Sequence, residues 1–135
     1  MATAYGKVGV EGAASTVVEQ TNTAKTMKSG SLDVFSTPSM VALMEEAACN
    51  ALRVPDGFSS VGIAMSIKHL AATSFGRSVK ATARITNAEK NIVEFSVVAK
   101  DSTGTVIGEG THRRAVVGVQ KFMKKAIAKV DIGSL

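Results

Sequence analysis

Cysteine, proline and aromatic side chains are scarce in this chain of 135 residues. Cys49 is the only cysteine, so no disulfide can form within the chain, and no cysteine cluster suggests a zinc site. No apolar run reaches the ~18 residues of a membrane-spanning helix, and residues 1–10 lack the apolar stretch of a secretory signal. These absences predict a soluble, cytoplasmic protein with no membrane partner.

Aliphatic side chains, by contrast, are plentiful. Apolar residues make up 45% of the chain, an ordinary value for a globular protein. The length fits one domain, and we expect a single domain over residues 1–135. A lone domain of this size buries only about two-thirds of its unfolded surface, so self-association would add useful burial.

The formal charge is +5, and much of it lies late in the sequence, at Arg113, Arg114, Lys121, Lys124 and Lys125. A solvated basic surface is the simplest interpretation. Attraction of an anionic partner, such as nucleic acid or a phosphorylated cofactor, is the functional one. Aromatic residues are only 4% of the chain and none are interleaved with these basic residues, which disfavours nucleic acid.

Residue patterns predict a strand, a helix and then four further strands. A threonine- and valine-rich stretch at residues 15–28 predicts the first strand, and the helix formers of Ser39–Leu52 predict the helix. Alternation of apolar and polar residues places the later elements at residues 60–70, 78–86, 92–100 and 105–118, before a C-terminal helix at residues 119–130. Short connections require antiparallel pairing. One long helix against such a sheet is an α+β arrangement typical of a hot-dog domain, although other α+β folds share this element order.

Two adjacent glutamates fall on different faces of the predicted helix. At about 100° per residue, Glu46 lies in the middle of the polar arc and is expected to be solvated. Glu45 lies beside Val41 and Ala48 at the border of the apolar arc. Its carboxylate either extends past these neighbours to water or turns toward a pocket, and the spacing leaves both interpretations open.

Thr37 and His69 are further candidates for chemistry. Thr37 is expected as the helix N-cap, where the positive end of the helix dipole would also stabilise a developing oxyanion. His69 ends the apolar face of its strand, either as a core-edge histidine bonded to backbone or as a proton donor and acceptor near neutral pH. For His112 a structural or surface role is favoured.

Several segments occur in a recognisable order: Val34–Thr37, Met40–Glu45, Val61–Gly62, His69–Thr73, Gly110–Val116 and then Phe122. The most specific part is a threonine, a glutamate eight positions later, and a histidine that opens an HLAAT segment. This ordered set, from about residue 33 to residue 122, resembles the fluoroacetyl-CoA thioesterase family and its thioesterase-like relatives.

The resemblance implies an α+β hot-dog fold, in which an antiparallel sheet wraps one long central helix, with a C-terminal helix after it. It implies Thr37, Glu45 and His69 as the catalytic group, with Gly62 and Phe35 as substrate-binding residues. The implied reaction is hydrolysis of a small acyl-CoA thioester to the free acid and CoA. We expect no metal and no cofactor apart from the CoA carried by the substrate.

Other expectations accompany that function. Glu45 acts either as a general base on water or as a nucleophile, and the sequence does not choose between them. We expect a homodimer with active sites at the subunit interface, and we expect Arg114 and Lys121 to hold the nucleotide end of CoA. The alternative function is a non-catalytic protein that binds acyl-CoA or another hydrophobic ligand on the same fold.

Overall fold

The computed structural model describes residues 5–134, and within them an antiparallel sheet wraps one long helix. The elements in chain order are β1 (Glu11–Val17), a 3-10 turn (Gln20–Asn22), α1 (Thr37–Ala51), β2 (Phe58–His69), β3 (Ser78–Glu89), β4 (Ile92–Asp101), β5 (Val106–Gly118) and α2 (Val119–Ser134). The five strands are ordered β1-β3-β4-β5-β2, and all neighbours are antiparallel. The expected α+β hot-dog architecture is confirmed.

The core lies between α1 and the concave face of the sheet. Helix α1 buries six residues on one side: Met40, Leu43, Met44, Ala47, Ala48 and Ala51. Opposite them, β3 and β4 bury alternate residues, as the period of two in their sequences predicts. Close approach depends on Gly12, since a Cβ there would collide with the α1 backbone.

Three local expectations are corrected. The first strand is Glu11–Val17, earlier than residues 15–28, because the threonine-rich stretch continues into a 3-10 turn and a loop. Ser36, not Thr37, is the N-cap of α1, and its hydroxyl accepts a hydrogen bond from the Ser39 N–H. Ile63, which strict alternation in residues 60–70 would place on the same apolar face as His69, is 49% exposed because a β-bulge between Gly62 and Ala64 shifts the alternation.

The two edges of the sheet differ. Strand β1 is short and packs against α1. Strand β2 is longer and pairs with β5 on one side only, so its other side presents unpaired backbone groups within the described residues. No helix in residues 5–134 is long and apolar enough to cross a membrane. Residues 1–4, part of the stretch judged above not to be a secretory signal, lie outside the described residues.

Candidate active site

Thr37 and His69 meet at the N-terminal end of α1. Thr37 is the first residue of the helix, and His69 is the last residue of β2. The Thr37 hydroxyl oxygen lies 2.7 Å from Nδ1 of His69, so the two share a hydrogen bond. Partial burial lowers the pKa of His69 below its ordinary value, which favours the neutral imidazole. A neutral imidazole beside a hydroxyl can take up or deliver a proton.

A pocket of about 350 Å³ opens at this pair of side chains. Thr37 and His69 lie on its wall, and the remaining lining is small or apolar: Ala24, Ser29, Val34, Phe35, Leu70, Ala71 and Ala72. Phe35 is almost fully buried, so it contributes to the floor. Such a cavity suits a short acyl chain better than a charged group.

Glu45 lies further along α1, against the bulge of β2. A Cβ at Gly62 would collide with the Glu45 carboxylate and would come within 3.3 Å of both Arg114 and His112. Glycine is therefore needed at position 62 to let the carboxylate reach the strand. Oε2 of Glu45 accepts a hydrogen bond of 3.1 Å from Nη1 of Arg114. The carboxylate thus turns toward the sheet and contacts Arg114, while the Glu45 side chain stays 40% exposed.

Arg114 is held by a buried network. It is only 6% exposed, and its Nε and Nη2 donate to the Ser60 hydroxyl at 2.9 Å and the Ser60 carbonyl at 3.0 Å. Its Nη1 lies 3.2 Å from Nε2 of His112 as well as contacting Glu45. The guanidinium therefore fixes the position of the Glu45 carboxylate, because each of its three nitrogens has a protein partner.

The tautomer of His112 follows from its two neighbours. Nδ1 lies 2.7 Å from the carbonyl oxygen of Ala64, which can only accept, so Nδ1 carries the proton. Nε2 is then free to accept from Arg114, which can only donate. Burial, with the Arg114 charge acting in the same direction, lowers the pKa of His112. A neutral His112 is thus part of the support for Glu45.

The structure separates the three expected catalytic residues into two groups within one chain. Thr37 and His69 form one group, and Glu45 beside Gly62 forms the other. His69 lies seven positions after Gly62 along β2, which corresponds to about 23 Å of extended strand. Neither Thr37 nor His69 is a hydrogen-bond partner of Glu45 among the contacts of the described residues.

The two residues expected to bind the nucleotide of CoA, Arg114 and Lys121, differ in the structure. The expectation that Arg114 binds the nucleotide of CoA at the surface is wrong, because the side chain is buried and committed to Glu45, His112 and Ser60. Lys121 lies exposed on α2, and its role stays a prediction. The sequence analysis missed Ser60 and underestimated His112. The period-two spacing of His112 and Arg114 on the inward face of β5 was the available signal.

Comparisons with known proteins identify the family. Residues 18–120 match the family model described as fluoroacetyl-CoA-specific thioesterase. The fluoroacetyl-CoA thioesterase of Streptantibioticus cattleyicolor is 38% identical over 103 residues, which cover 75% of this chain and 73% of that protein. A solved structure of a fluoroacetyl-CoA thioesterase superposes with a TM-score of 0.85 at 32% identity, covering 91% of this chain and 96% of the other.

More distant structures share the architecture. A Thermus thermophilus protein described as a thioesterase superfamily member has a TM-score of 0.83 at 25% identity, with 93% and 96% of the two chains covered. A hot-dog-like protein from Thermanaerovibrio acidaminovorans has a TM-score of 0.82 at 28% identity, with 92% and 93% covered. Fold and site together define a hot-dog thioester hydrolase that acts on acyl-CoA. More particularly, the chain belongs to the fluoroacetyl-CoA-specific thioesterase family.

The buried network yields a stability prediction. Replacing Arg114 with Met removes the donor to Glu45 and leaves Nε2 of His112 without its partner. We expect a loss of about 2 kcal/mol in the free energy of unfolding, measured by urea denaturation, because an unpaired buried acceptor is costly while the half-exposed Glu45 regains water. Arg113→Met is the control. Its pair with Glu94 is exposed, so its loss should stay within about 0.5 kcal/mol. Equal losses would contradict the network.

His112 yields a prediction for pH dependence. Its pKa in the folded state is lowered, so the unfolded chain binds more protons below about pH 6.5 and stability falls as the pH falls through that value. His69 contributes in the same direction. The groups that act on the pKa of His112 besides burial are the Ala64 carbonyl, Arg114 and Glu45. We expect the free energy of unfolding to decrease between pH 7.5 and pH 5.5, and His112→Gln to flatten that slope. An unchanged slope in the variant would contradict a neutral, buried His112.

Proposed function

We propose that the protein hydrolyses a short-chain acyl-CoA thioester as a homodimer, with each active site built from both subunits. Thr37 and His69 of one subunit would form one half, and Glu45 of the partner subunit would form the other. The observation that carries this proposal is the separation of the two groups within one chain. Within a single chain, about 12 Å of helix rise separates Thr37 from Glu45, which is more than one thioester group spans.

The edge of β2 that is unpaired within the described residues would form the dimer interface. A long edge with free N–H and C=O groups readily pairs with another strand. Two copies related by a two-fold axis would pair β2 with β2 in antiparallel orientation. The first half of one strand then lies beside the second half of the other. That arrangement brings Gly62 and Glu45 of one subunit toward His69 and Thr37 of the partner subunit.

Two further observations support a site completed from outside the chain. Nε2 of His69 is buried and has no hydrogen-bond partner in the part of the chain that the structure describes. Native proteins rarely leave such an atom unsatisfied. In addition, Ile63 is 49% exposed at the bulge on this same edge strand, where a second subunit would cover it.

The proposed chemistry uses only groups of the chain and water. Glu45, held by Arg114, would either accept a proton from the attacking water or attack the thioester carbonyl itself. The thioester needs no metal, because its thiolate leaves readily. His69, neutral at the start, would take up the proton released by the attacking water and pass it to the leaving thiolate. The Thr37 hydroxyl together with the first-turn N–H groups of α1 would stabilise the oxyanion. The small pocket at Thr37 would take the acyl chain.

The relatives bear on the substrate. The curated relative is a fluoroacetyl-CoA thioesterase, and we propose a small acyl group for this chain on the basis of the pocket of about 350 Å³. Thiol release from acetyl-, fluoroacetyl-, butyryl- and decanoyl-CoA is the test. The highest kcat/KM should fall on acyl groups of two to four carbons. Binding without hydrolysis of any ester would favour the non-catalytic alternative.

The positive charge on α2 would contribute to substrate binding in this proposal. CoA carries several phosphates, and Lys121 with its neighbours forms an exposed basic group. We propose that Lys121 contributes to binding the nucleotide end. Replacing Lys121 with Gln should raise KM for an acyl-CoA and leave KM for the corresponding acyl-pantetheine unchanged.

Assembly itself is a separate prediction. We expect light scattering at micromolar concentration to give the mass of two chains, because within residues 5–134 the outer edge of β2 is unpaired and Ile63 is exposed. Replacing Ile63 with Glu places like charges near the two-fold axis and should shift the protein toward monomer. A wild-type monomer with full activity would contradict a site shared by two subunits.

A further inference from the structure

Helix α2 carries an apolar stripe that the described residues leave half-exposed. Val119, Phe122, Met123 and Ile127 recur at helical spacing on one face, and their exposures lie between 38% and 54%. The helix touches the rest of the chain mainly at the end of β5. Four half-exposed apolar residues on one helix face form a patch that soluble proteins usually cover.

A second group of exposed apolar residues lies beside the pocket at Thr37, where Ser74, the neighbour of Phe75, pairs with the lining residue Val34. Leu70, on the pocket wall, is 52% exposed, and Phe75, five residues later, is 61% exposed. They lie just past the end of β2, whereas α2 starts beside the beginning of β2. The N–H of Val119 donates to the carbonyl of Gly57 at 3.0 Å, and Gly118 is in register with Phe58.

These two surfaces face each other in the proposed dimer. Antiparallel pairing of the β2 edges sets the beginning of one strand beside the end of the other. The start of α2 then lies about two strand spacings, ~10 Å, from the end of the partner's β2. A helix of 16 residues is about 24 Å long, which is enough to cross that corner.

We propose that α2 of each subunit docks its apolar stripe on the rim formed by Leu70 and Phe75 of the partner subunit and so closes the partner's acyl pocket. This inference rests on the proposed homodimer. Two parts of the other subunit, the Glu45 side chain and helix α2, would therefore complete each pocket. Lys121, Lys124 and Lys125 lie on the side of α2 away from the stripe and are exposed, so they would stay in solvent at the pocket mouth, where the phosphates of CoA would emerge.

Paired heterodimers test which subunit supplies the helix. Phe122→Ser together with Ile127→Ser removes the apolar stripe from one α2 helix. Glu45→Gln in one chain inactivates one of the two sites of the dimer, so that only one site is measured. In the first heterodimer, one chain carries all three substitutions and its partner is wild type. In the second, one chain carries Glu45→Gln and the other carries the two serines. The surviving site uses the pocket of the Glu45→Gln chain, so its covering helix comes from the other chain.

The inference predicts a normal KM for acetyl-CoA in the first heterodimer and a KM raised about ten-fold in the second, since part of the burial of two apolar side chains is lost. Acetyl-pantetheine should show the same contrast, because the stripe closes the acyl end. Val10→Ser with Val17→Ser, a matched pair of exposed apolar residues at the β1 side, should leave KM unchanged in both arrangements.

Each other outcome has a definite meaning. The reverse contrast would show that α2 covers the pocket of its own chain, and an unchanged KM in both heterodimers would show that it covers neither. Either result overturns the inference and leaves the dimer intact. A heterodimer of Glu45→Gln with His69→Ala tests separately whether the active site is shared, because it regains activity only if one site draws on both chains, so failure of the dimer proposal is distinguished from failure of this inference. Unchanged KM together with binding of the wild-type protein, but not the serine variant, to phosphatidylglycerol vesicles would assign the stripe to a membrane surface.

Cross-linking gives a second measurement that does not depend on activity. In a Cys49→Ala background, one chain carries Phe122→Cys and the other carries Leu70→Cys. A short bismaleimide should join the two chains into a species of dimer mass. Failure to join them, together with an efficient link when both cysteines are in one chain, would overturn the inference even if the serine variants were poorly folded.

Discussion

Replacing Glu45 with Gln is expected to lower kcat for acyl-CoA hydrolysis by about 10²–10⁴-fold, the usual contribution of a general base. The amide keeps the shape of the side chain and can still contact Arg114, but it cannot take a proton from water or attack a thioester. Folding should be little affected, because the substituted group remains half-exposed. Thiol release measured at saturating substrate gives the comparison directly.

Glu46→Gln is the matched control. Glu46 is the next residue on the same helix and is exposed on the polar face. It lies outside the Arg114 network, so its replacement should change kcat by less than about two-fold, as expected for a surface substitution. Equal effects from the two substitutions would remove Glu45 from the mechanism. A large loss for Glu45→Gln alone would leave the choice between base and nucleophile to be made by trapping an acyl-enzyme.

The sequence predicted much of the fold because its strands and helix carry clear periodicities. Strands β3 and β4 alternate cleanly, and α1 has a broad apolar face. The errors arose where the chain departs from a regular period. The bulge at Gly62 moved Ile63 to the surface, and the threonines after β1 continued into a turn because β propensity alone does not fix a strand.

The sequence predicted which residues belong to the candidate site, but not how they are arranged in space. Helical spacing identified Glu45 as different from Glu46, and the resemblance pointed to Thr37 and His69. Arg114 was misassigned because an arginine in a basic run is usually solvated, and nothing local in the sequence shows that it crosses the sheet interior to reach Glu45. The distance between the two groups depends on how β2 spans α1, which is a tertiary property.

The second large effect is the recovery of activity from two inactive variants. Glu45→Gln and His69→Ala should each be nearly inactive as homodimers. In a heterodimer of the two, one site would combine His69 and Thr37 from the first chain with Glu45 from the second, and that site is intact. The other site carries both substitutions. We expect the purified heterodimer to regain about half of the wild-type activity, as a two-fold symmetric enzyme with one working site should.

A second heterodimer controls for nonspecific recovery. Thr37→Ala and His69→Ala affect the same half of the site, which the short hydrogen bond between these side chains defines. Every site in this heterodimer contains one damaged residue, so activity should stay near that of the parents. Recovery here would mean that subunit exchange or stabilisation, rather than a shared site, restores the enzyme.

The most direct measurement is therefore thiol release from acetyl-CoA by the purified Glu45→Gln/His69→Ala heterodimer, tagged differently on its two chains. A site that draws Thr37 and His69 from one subunit and Glu45 from the other predicts about half of the wild-type rate, as one of two symmetric sites survives. A rate no higher than that of the two parent homodimers, in a heterodimer shown to be folded and dimeric, would contradict it.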